Sequence, residues 1–153
     1  MKLFDLLISP RGQALDRHLV RYTGHSLINR AFAHKLGFEC QPALLLRSRG
    51  RHSGLWRDAV LPWFYHGTER VVVGSAGGSP ADPGWVHNLR EHPQAEVFVD
   101  RELQDVSARF LEGEEYQRVW AQLTSVVPQY AEYQRACGDK RQIPLVALQV
   151  GAG

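Results

Sequence analysis

Hydrophobic positions change their spacing twice along this chain. Between residues 11 and 36 the spacing is helical and predicts two helices, with a break near Thr23-Gly24. In the second helix, Leu27, Ile28, Ala31, Phe32, Lys35 and Leu36 fall on one face. Ser26 is placed to cap its start and Gly37 its end. His25, Asn29, Arg30 and His34 occupy the polar face. The plain reading is a helix packed on a sheet. The functional one is an amphipathic surface that touches a membrane or a long anionic ligand.

From Pro42 the pattern becomes that of strands. Ala43–Arg49 is a nearly continuous apolar run, and 56–65 follows it. A glycine-bearing turn at His66-Gly67-Thr68-Glu69 leads into 70–75, with Val71-Val72-Val73 at its centre. This predicts a three-stranded antiparallel meander. The stretch 76–84, with its glycines and prolines, reads as a loop. Asp82-Pro83 is start chemistry for a short helix through Arg90, which ends before Pro93. Residues 95–99 and 103–110 alternate around Asp100-Arg101-Glu102 and predict a second hairpin. Residues 112–124 place Tyr116, Val119, Trp120 and Leu123 on one helical face. Pro128 separates them from a short helix that holds Tyr130 and Tyr133, and 143–150 is a last apolar strand. The sum is an α+β fold, an antiparallel barrel of six to seven strands with flanking helices. An N-terminal helical segment (1–36) and a barrel (37–153) are expected to form one structural domain.

Composition narrows the classes. The chain has 153 residues, 44% apolar and 22% charged, ordinary values for a soluble globular protein. A net charge of +2 makes no global case for a nucleic-acid partner. Cys40 and Cys137 lack metal-ligand spacing, so a reduced thiol pair in the cytoplasm is expected. No apolar run approaches the roughly 18 residues of a spanning helix, and 1–10 lacks a convincing cleavage site. The seven histidines show no HxH or HxxxH pairing, so no metal site is expected. The glycine signatures of dinucleotide and P-loop sites are absent. Ser53, Ser75 and Ser79 have no nucleophile-elbow context.

Four features remain as candidate chemistry. The turn from Arg47 to Arg57 carries four arginines, His52, two glycines and no acid, a combination that suits a phosphate or carboxylate. Ser75-Ala76-Gly77-Gly78 ends a strand in a loop whose backbone N–H groups are free to meet a planar ligand. Trp85, His87 and Asn88 open a helix at its positive end. Tyr130 and Tyr133 lie on one helical face and wall either a pocket or the core.

Together these residues resemble the deazaflavin (F420)-dependent nitroreductase family of the split β-barrel flavin/deazaflavin oxidoreductases. The resemblance runs from about Pro42 to Val150. It rests on Gly50-Arg51-His52-Ser53-Gly54-x-x-Arg57, Ser75-x-Gly77-Gly78 and Pro83-x-Trp85-x-x-Asn88-Leu89 before Pro93. Pro128-x-Tyr130-x-x-Tyr133 and Ile143-Pro144-Leu145-Val146 complete it. The resemblance implies coenzyme F420 as cofactor, with Arg51, His52, Ser53 and Arg57 clamping its phosphate region. Ser75, Ala76, Gly77 and Gly78 would meet the ring and linker, Trp85 and Asn88 would support that wall, and Tyr130 and Tyr133 would line the acceptor pocket. The implied reaction is hydride transfer from reduced F420 to a quinone-like, nitro or activated-alkene acceptor. The family often has lysine where this chain has Ala76, tyrosine at Val127 and lysine at His52. Related split barrels use FMN, so FMN is the alternative cofactor, and a non-catalytic flavin or deazaflavin carrier is the alternative function. A homodimer and peripheral membrane contact are also compatible with the resemblance.

Overall fold

The computed structural model describes residues 3–37 and 40–151. Three helices come first: α1 (Leu3–Ile8), α2 (Pro10–Thr23) and α3 (Leu27–Leu36). The break at Gly24 and the caps of α3 fall where the residue types place them. Gly24 and Gly37 close α2 and α3 in the left-handed region, and Ser26 Oγ accepts from Asn29 N at 3.0 Å. The short α1 falls within the helical segment expected over 1–36, although its six residues are too few to show a helical period of their own.

A buried carboxylate joins two of these helices. Asp16 of α2 accepts from Ser26 Oγ at 2.7 Å, from Leu27 N at 2.6 Å and from Ile28 N at 3.2 Å. It therefore satisfies orphan donors at the positive end of α3 and locks that end to α2. Of the two readings of α3, packing on a sheet is not what the structure shows. Ala33 is its one buried residue, while Leu27, Phe32 and Leu36 stay about 40% exposed (41%, 37% and 40%). The helix that does lie on the sheet is α2, through Val20 against Ala43 and Leu45.

Six strands follow: β1 (Ala43–Arg49), β2 (Trp56–His66), β3 (Glu69–Val73), β4 (Gln94–Val99), β5 (Glu102–Phe110) and β6 (Leu145–Val150). They close in the order β1-β2-β3-β6-β5-β4, every neighbouring pair antiparallel. Leu44, Leu46, Trp63, Val72, Val97, Val106, Val146 and Leu148 fill one core cluster with contributions from every strand. The alternate residues Val71, Val73, Leu145 and Ala147 pack under α5 (Gly113–Val126) and α6 (Gln129–Cys137). Coverage on both faces explains why β1, β3 and β6 read as continuous apolar runs, while β4 alternates. The last strand starts at Leu145 and not at residue 143, since Pro144 has no N–H to give to a ladder. Ile143 is bonded by side chains instead: its N–H donates to Gln134 Oε1 at 2.8 Å, and its carbonyl accepts from Tyr116 Oη at 2.6 Å.

One ion cluster fastens α5 to the barrel. Arg109 of β5 donates to Glu115 Oε1 at 2.6 Å and to Glu69 Oε1 at 2.8 Å, and His66 Nε2 lies 3.1 Å from Glu115. The Arg109 guanidinium, helped by His66, pulls the Glu115 carboxyl down to about 2 from 4.5. A carboxyl with a lowered folded-state pKa stabilises the fold above its unfolded value and loses that effect as pH falls through the folded value. Wild type is therefore expected to melt above Glu115→Gln at neutral pH, with a gap that closes as pH falls from 4.5 toward 2. Thermal melts across that window test this; a gap independent of pH would show that the ion pair does not carry the stabilisation.

Candidate functional site

The basic turn between β1 and β2 is a rigid, hydrogen-bonded loop. Gly50 N donates to the Leu55 carbonyl at 2.7 Å, Gly54 N to the Gly50 carbonyl at 2.8 Å, and Leu55 N to Ser53 Oγ at 3.2 Å. A Cβ on Gly50 would sit 2.7 Å from Ser53 Oγ and 3.3 Å from the Leu55 carbonyl oxygen, so a larger residue would displace the Ser53 hydroxyl from the turn. Helix α4 (Gly84–Glu91) pins the turn from the side. Its buried Asn88 accepts from Arg51 N at 3.0 Å and donates to Ser48 Oγ at 3.3 Å. The Asn88 amide is thus engaged by protein on both atoms and holds the turn in place.

The four arginines divide into two pairs. Arg47 lies between its cross-strand neighbours Asp58 and Glu96 and pairs with both, at 3.3 and 3.1 Å. The Arg49 guanidinium lies 4.5 Å from the ring centroid of Trp56. Arg51 and Arg57 have no ion-pair partner among the described residues. Both line a cavity of about 420 Å³ together with His52, Ser53, Gly84, Trp85 and Asn88. Of the turn and α4 residues singled out for anion binding, Arg51, His52, Ser53, Arg57, Trp85 and Asn88 line this one cavity, beside the positive end of α4, and His87 does not.

The loop after β3 is held from below by a residue that sequence reasoning did not single out. Arg141 donates to the carbonyls of Gly74 at 2.8 Å, Ser75 at 2.7 Å and Ser79 at 2.9 Å, and to Asp82 Oδ1 at 2.9 Å. Asp82 therefore does not cap α4 as its position suggests. The helix begins one residue past Pro83 with no side-chain cap, because the nearly buried Arg141 takes the carboxylate. With the carbonyls gathered on Arg141, the chain turns through three positive φ angles: Ala76 at 46°, Gly77 at 62° and Gly78 at 83°. Gly78 is packed against α6, where an added Cβ would lie 3.0 Å from Ala136 Cβ and 3.1 Å from the Tyr133 carbonyl.

Ser75 and Gly77 of this loop line a second cavity of about 230 Å³ with Tyr130 and Tyr133. Ala76 is exposed, and neither Ala76 nor Gly78 is among the residues that line the two cavities. Tyr130 is both core and cavity wall: its ring meets Phe64 and Tyr133 edge to face at 5.9 and 6.3 Å. Burial pushes both phenols up from their ordinary value, so each keeps its proton at neutral pH. The remaining wall is Asn29, Phe32 and Leu36 of α3, with Gln41, Pro62, Val127 and Gln129. The α3 residues were missed as site residues. Their spacing of three and four was the available signal, a stripe whose apolar members stay open to the cavity. A third cavity of about 420 Å³, beside β2, shares Asp58 and Ala59 with the first and Asn29 and Phe32 with the second. The three form one row along β2, from anion clamp to tyrosine pocket. Among the described residues, no group of His, Cys, Asp and Glu could hold a metal ion, and no helix is long and apolar enough to cross a membrane.

The closed six-stranded antiparallel barrel is the fold of the split-barrel oxidoreductases, and here two unpaired guanidiniums stand at one end of such a row and a tyrosine-walled pocket at the other. Residues 24–149 match the family of F420H2-dependent quinone reductases. An F420H2-dependent quinone reductase of Mycobacterium tuberculosis is 30% identical over 146 residues, covering 88% of this chain and 97% of the relative. The solved structure of an F420H2-dependent reductase, FDR-A, superposes with a TM-score of 0.62 at 32% identity, over 71% of this chain and 94% of its own. A domain-swapped dimer superposes with a TM-score of 0.63 at 26% identity, over 97% and 100% of the two chains. The chain belongs to the F420H2-dependent quinone reductase family. It is an oxidoreductase, and its cofactor is coenzyme F420. The residues fit that group: two unpaired guanidiniums suit a phosphate and acidic tail, and the adjoining row suits a planar ring.

The loop under the site depends on Arg141. Arg141→Met leaves Asp82 without its main partner, the Gly74 carbonyl without its donor and the Ser75 and Ser79 carbonyls each one donor short, and is expected to destabilise the fold by about 3 to 5 kcal/mol. Urea unfolding measures this; a change below about 1 kcal/mol would mean that the loop holds its shape unaided.

Proposed function

We propose that this chain transfers a hydride from reduced F420 to a quinone-like acceptor held against Tyr130 and Tyr133. The observation that carries the reading is the row of cavities along β2. It opens on two unpaired guanidiniums and ends at an apolar pocket beside the Ser75–Gly77 loop. When bound, reduced F420 supplies the hydride, so the protein needs no strong acid or base of its own.

The residues have separable tasks. Arg51 and Arg57, with His52 and Ser53, bind the anionic portion, and Asn88 orients them by fixing the Arg51 backbone. Ser75 and Gly77 meet the ring edge, at a height set by Arg141. Phe32, Leu36, Pro62 and Val127 exclude water from the acceptor. Tyr130 and Tyr133, kept neutral by burial, donate hydrogen bonds to an acceptor oxygen and do not serve as bases. Of quinone-like, nitro and activated-alkene acceptors, this apolar lining favours the quinone. Val127 in place of the family's frequent tyrosine strengthens that preference.

The division of the arginines supplies the test. Arg51→Ala with Arg57→Ala is expected to weaken F420 binding by about a hundredfold, two charge-assisted contacts being worth about 1.5 kcal/mol or more each. Arg49→Ala removes the same charge from the same turn and is expected to change affinity less than about threefold. Fluorescence titration of the three proteins with F420 reads both. Equal losses from Arg49→Ala and either clamp variant would reduce the site to a diffuse positive field.

A further inference from the structure

We propose that the Asn29 side-chain amide is the hydrogen-bond donor that orients the acceptor oxygen in the tyrosine-walled cavity; this rests on the hydride-transfer reading above. Three observations meet at this residue. Asn29 lines both the tyrosine cavity and the cavity beside β2, and so stands where the two join. Its Nδ2 is buried and has no hydrogen-bond partner. Its backbone is held, since Asn29 N donates to Ser26 Oγ at 3.0 Å and Ser26 Oγ donates to Asp16 at 2.7 Å.

A buried amide nitrogen without a partner destabilises a fold by about 1–3 kcal/mol. Ser75 and Gln129 carry acceptor oxygens in the same cavity, yet neither is bonded to this nitrogen, and Phe32, Leu36 and Pro62 have no side-chain acceptor to offer it. An oxygen of a bound acceptor does. A quinone carbonyl only accepts hydrogen bonds, and it gains negative charge as the hydride arrives on the ring. An N–H donor at that oxygen therefore stabilises the transition state more than the ground state. The asparagine amide turns about its Cβ–Cγ bond at little cost, so the nitrogen reaches the cavity without moving α3. The Asp16–Ser26 bonds keep the helix turn that carries it in register with the barrel. Asn29 and the two tyrosines then place the acceptor by its oxygens while the apolar wall takes its ring.

The test compares the full-length wild type with Asn29→Leu and Asn29→Asp. The first fills the same volume without a donor, and the second replaces the amide nitrogen with a carboxylate oxygen. Three quantities are read: F420 affinity by fluorescence, kcat/KM with a naphthoquinone, and kcat/KM with a tetrazolium dye that carries no oxygen. The expected result is a naphthoquinone kcat/KM about tenfold lower in Asn29→Leu and lower still in Asn29→Asp. In Asn29→Leu, F420 affinity and the tetrazolium rate stay within about twofold. The melting temperature of Asn29→Leu stays level or rises, because an unsatisfied buried group is gone. A parallel loss with both acceptors and a lower melting temperature would make Asn29 a structural residue and overturn the proposal. A loss of F420 affinity would assign the amide to the cofactor and overturn it equally, as would unchanged naphthoquinone kinetics. Failure of the wild type to bind F420 would bring down the underlying reading itself, and that outcome is visible before any variant is made.

Discussion

The site depends first on one guanidinium that no ligand need touch. Arg141 gathers the carbonyls of Gly74, Ser75 and Ser79 and the carboxylate of Asp82, so both ends of the loop are tied to a single buried cation. Three consecutive left-handed residues follow from that, one of them Ala76, which has a Cβ and pays for the conformation. Such strain persists only where the surroundings over-determine the backbone, and four donor contacts from one rigid fork do so. The loop then meets α6 at Gly78 and the tyrosine cavity at Ser75 and Gly77. The barrel, the loop and the tyrosine helix are thereby set at fixed distances from one another. Hydride transfer requires that condition, because its rate falls steeply with misplacement of the reacting atoms.

The basic turn shows why counting charges overstates a binding site. Four arginines within eleven residues suggest a strong field. Two of them are spent on the fold: Arg47 bridges β1 to β2 and β4 through acids on both neighbours, and Arg49 covers Trp56. What remains is a two-pronged clamp, its backbone fixed by Asn88, which suits one phosphate-sized anion better than a polyanionic surface. The same arithmetic argues against nucleic acid as the ligand, which would need a run of free cations along a groove.

Most of the barrel was legible in the sequence because its signals are local. Turn glycines, alternation in 95–99 and 103–110, and continuous apolar runs each report their own strand. The motifs of the basic turn, α4 and the tyrosine segment likewise led to residues that the structure gathers around two cavities. What was not legible involves partners far apart in sequence. Arg141 and Asp82 lie 59 residues apart, so Asp82 before Pro83 read as a helix cap, whereas the buried guanidinium has the stronger claim on it. The failure at α3 has another cause. Its apolar stripe is real, but periodicity reports that a face is apolar and not what covers it. Phe32 and Leu36 look onto a cavity where a sheet was expected.

That difference bears on how the pocket is built. A cavity closed only by barrel strands would have a wall as stiff as the barrel. Here one wall is α3, a ten-residue helix whose first turn is held by Asp16 and Ser26. Beyond that turn Ala33 is buried, while Phe32 and Leu36 stay 37% and 40% exposed. Asn29 sits within the held turn, while Phe32 and Leu36 sit beyond it. On the proposed reading, Asn29 would be the fixed polar contact of the pocket, and Phe32 and Leu36 its more open apolar wall. Such a division suits an enzyme whose acceptors share an oxygen on a ring and differ in the size of the ring's substituents.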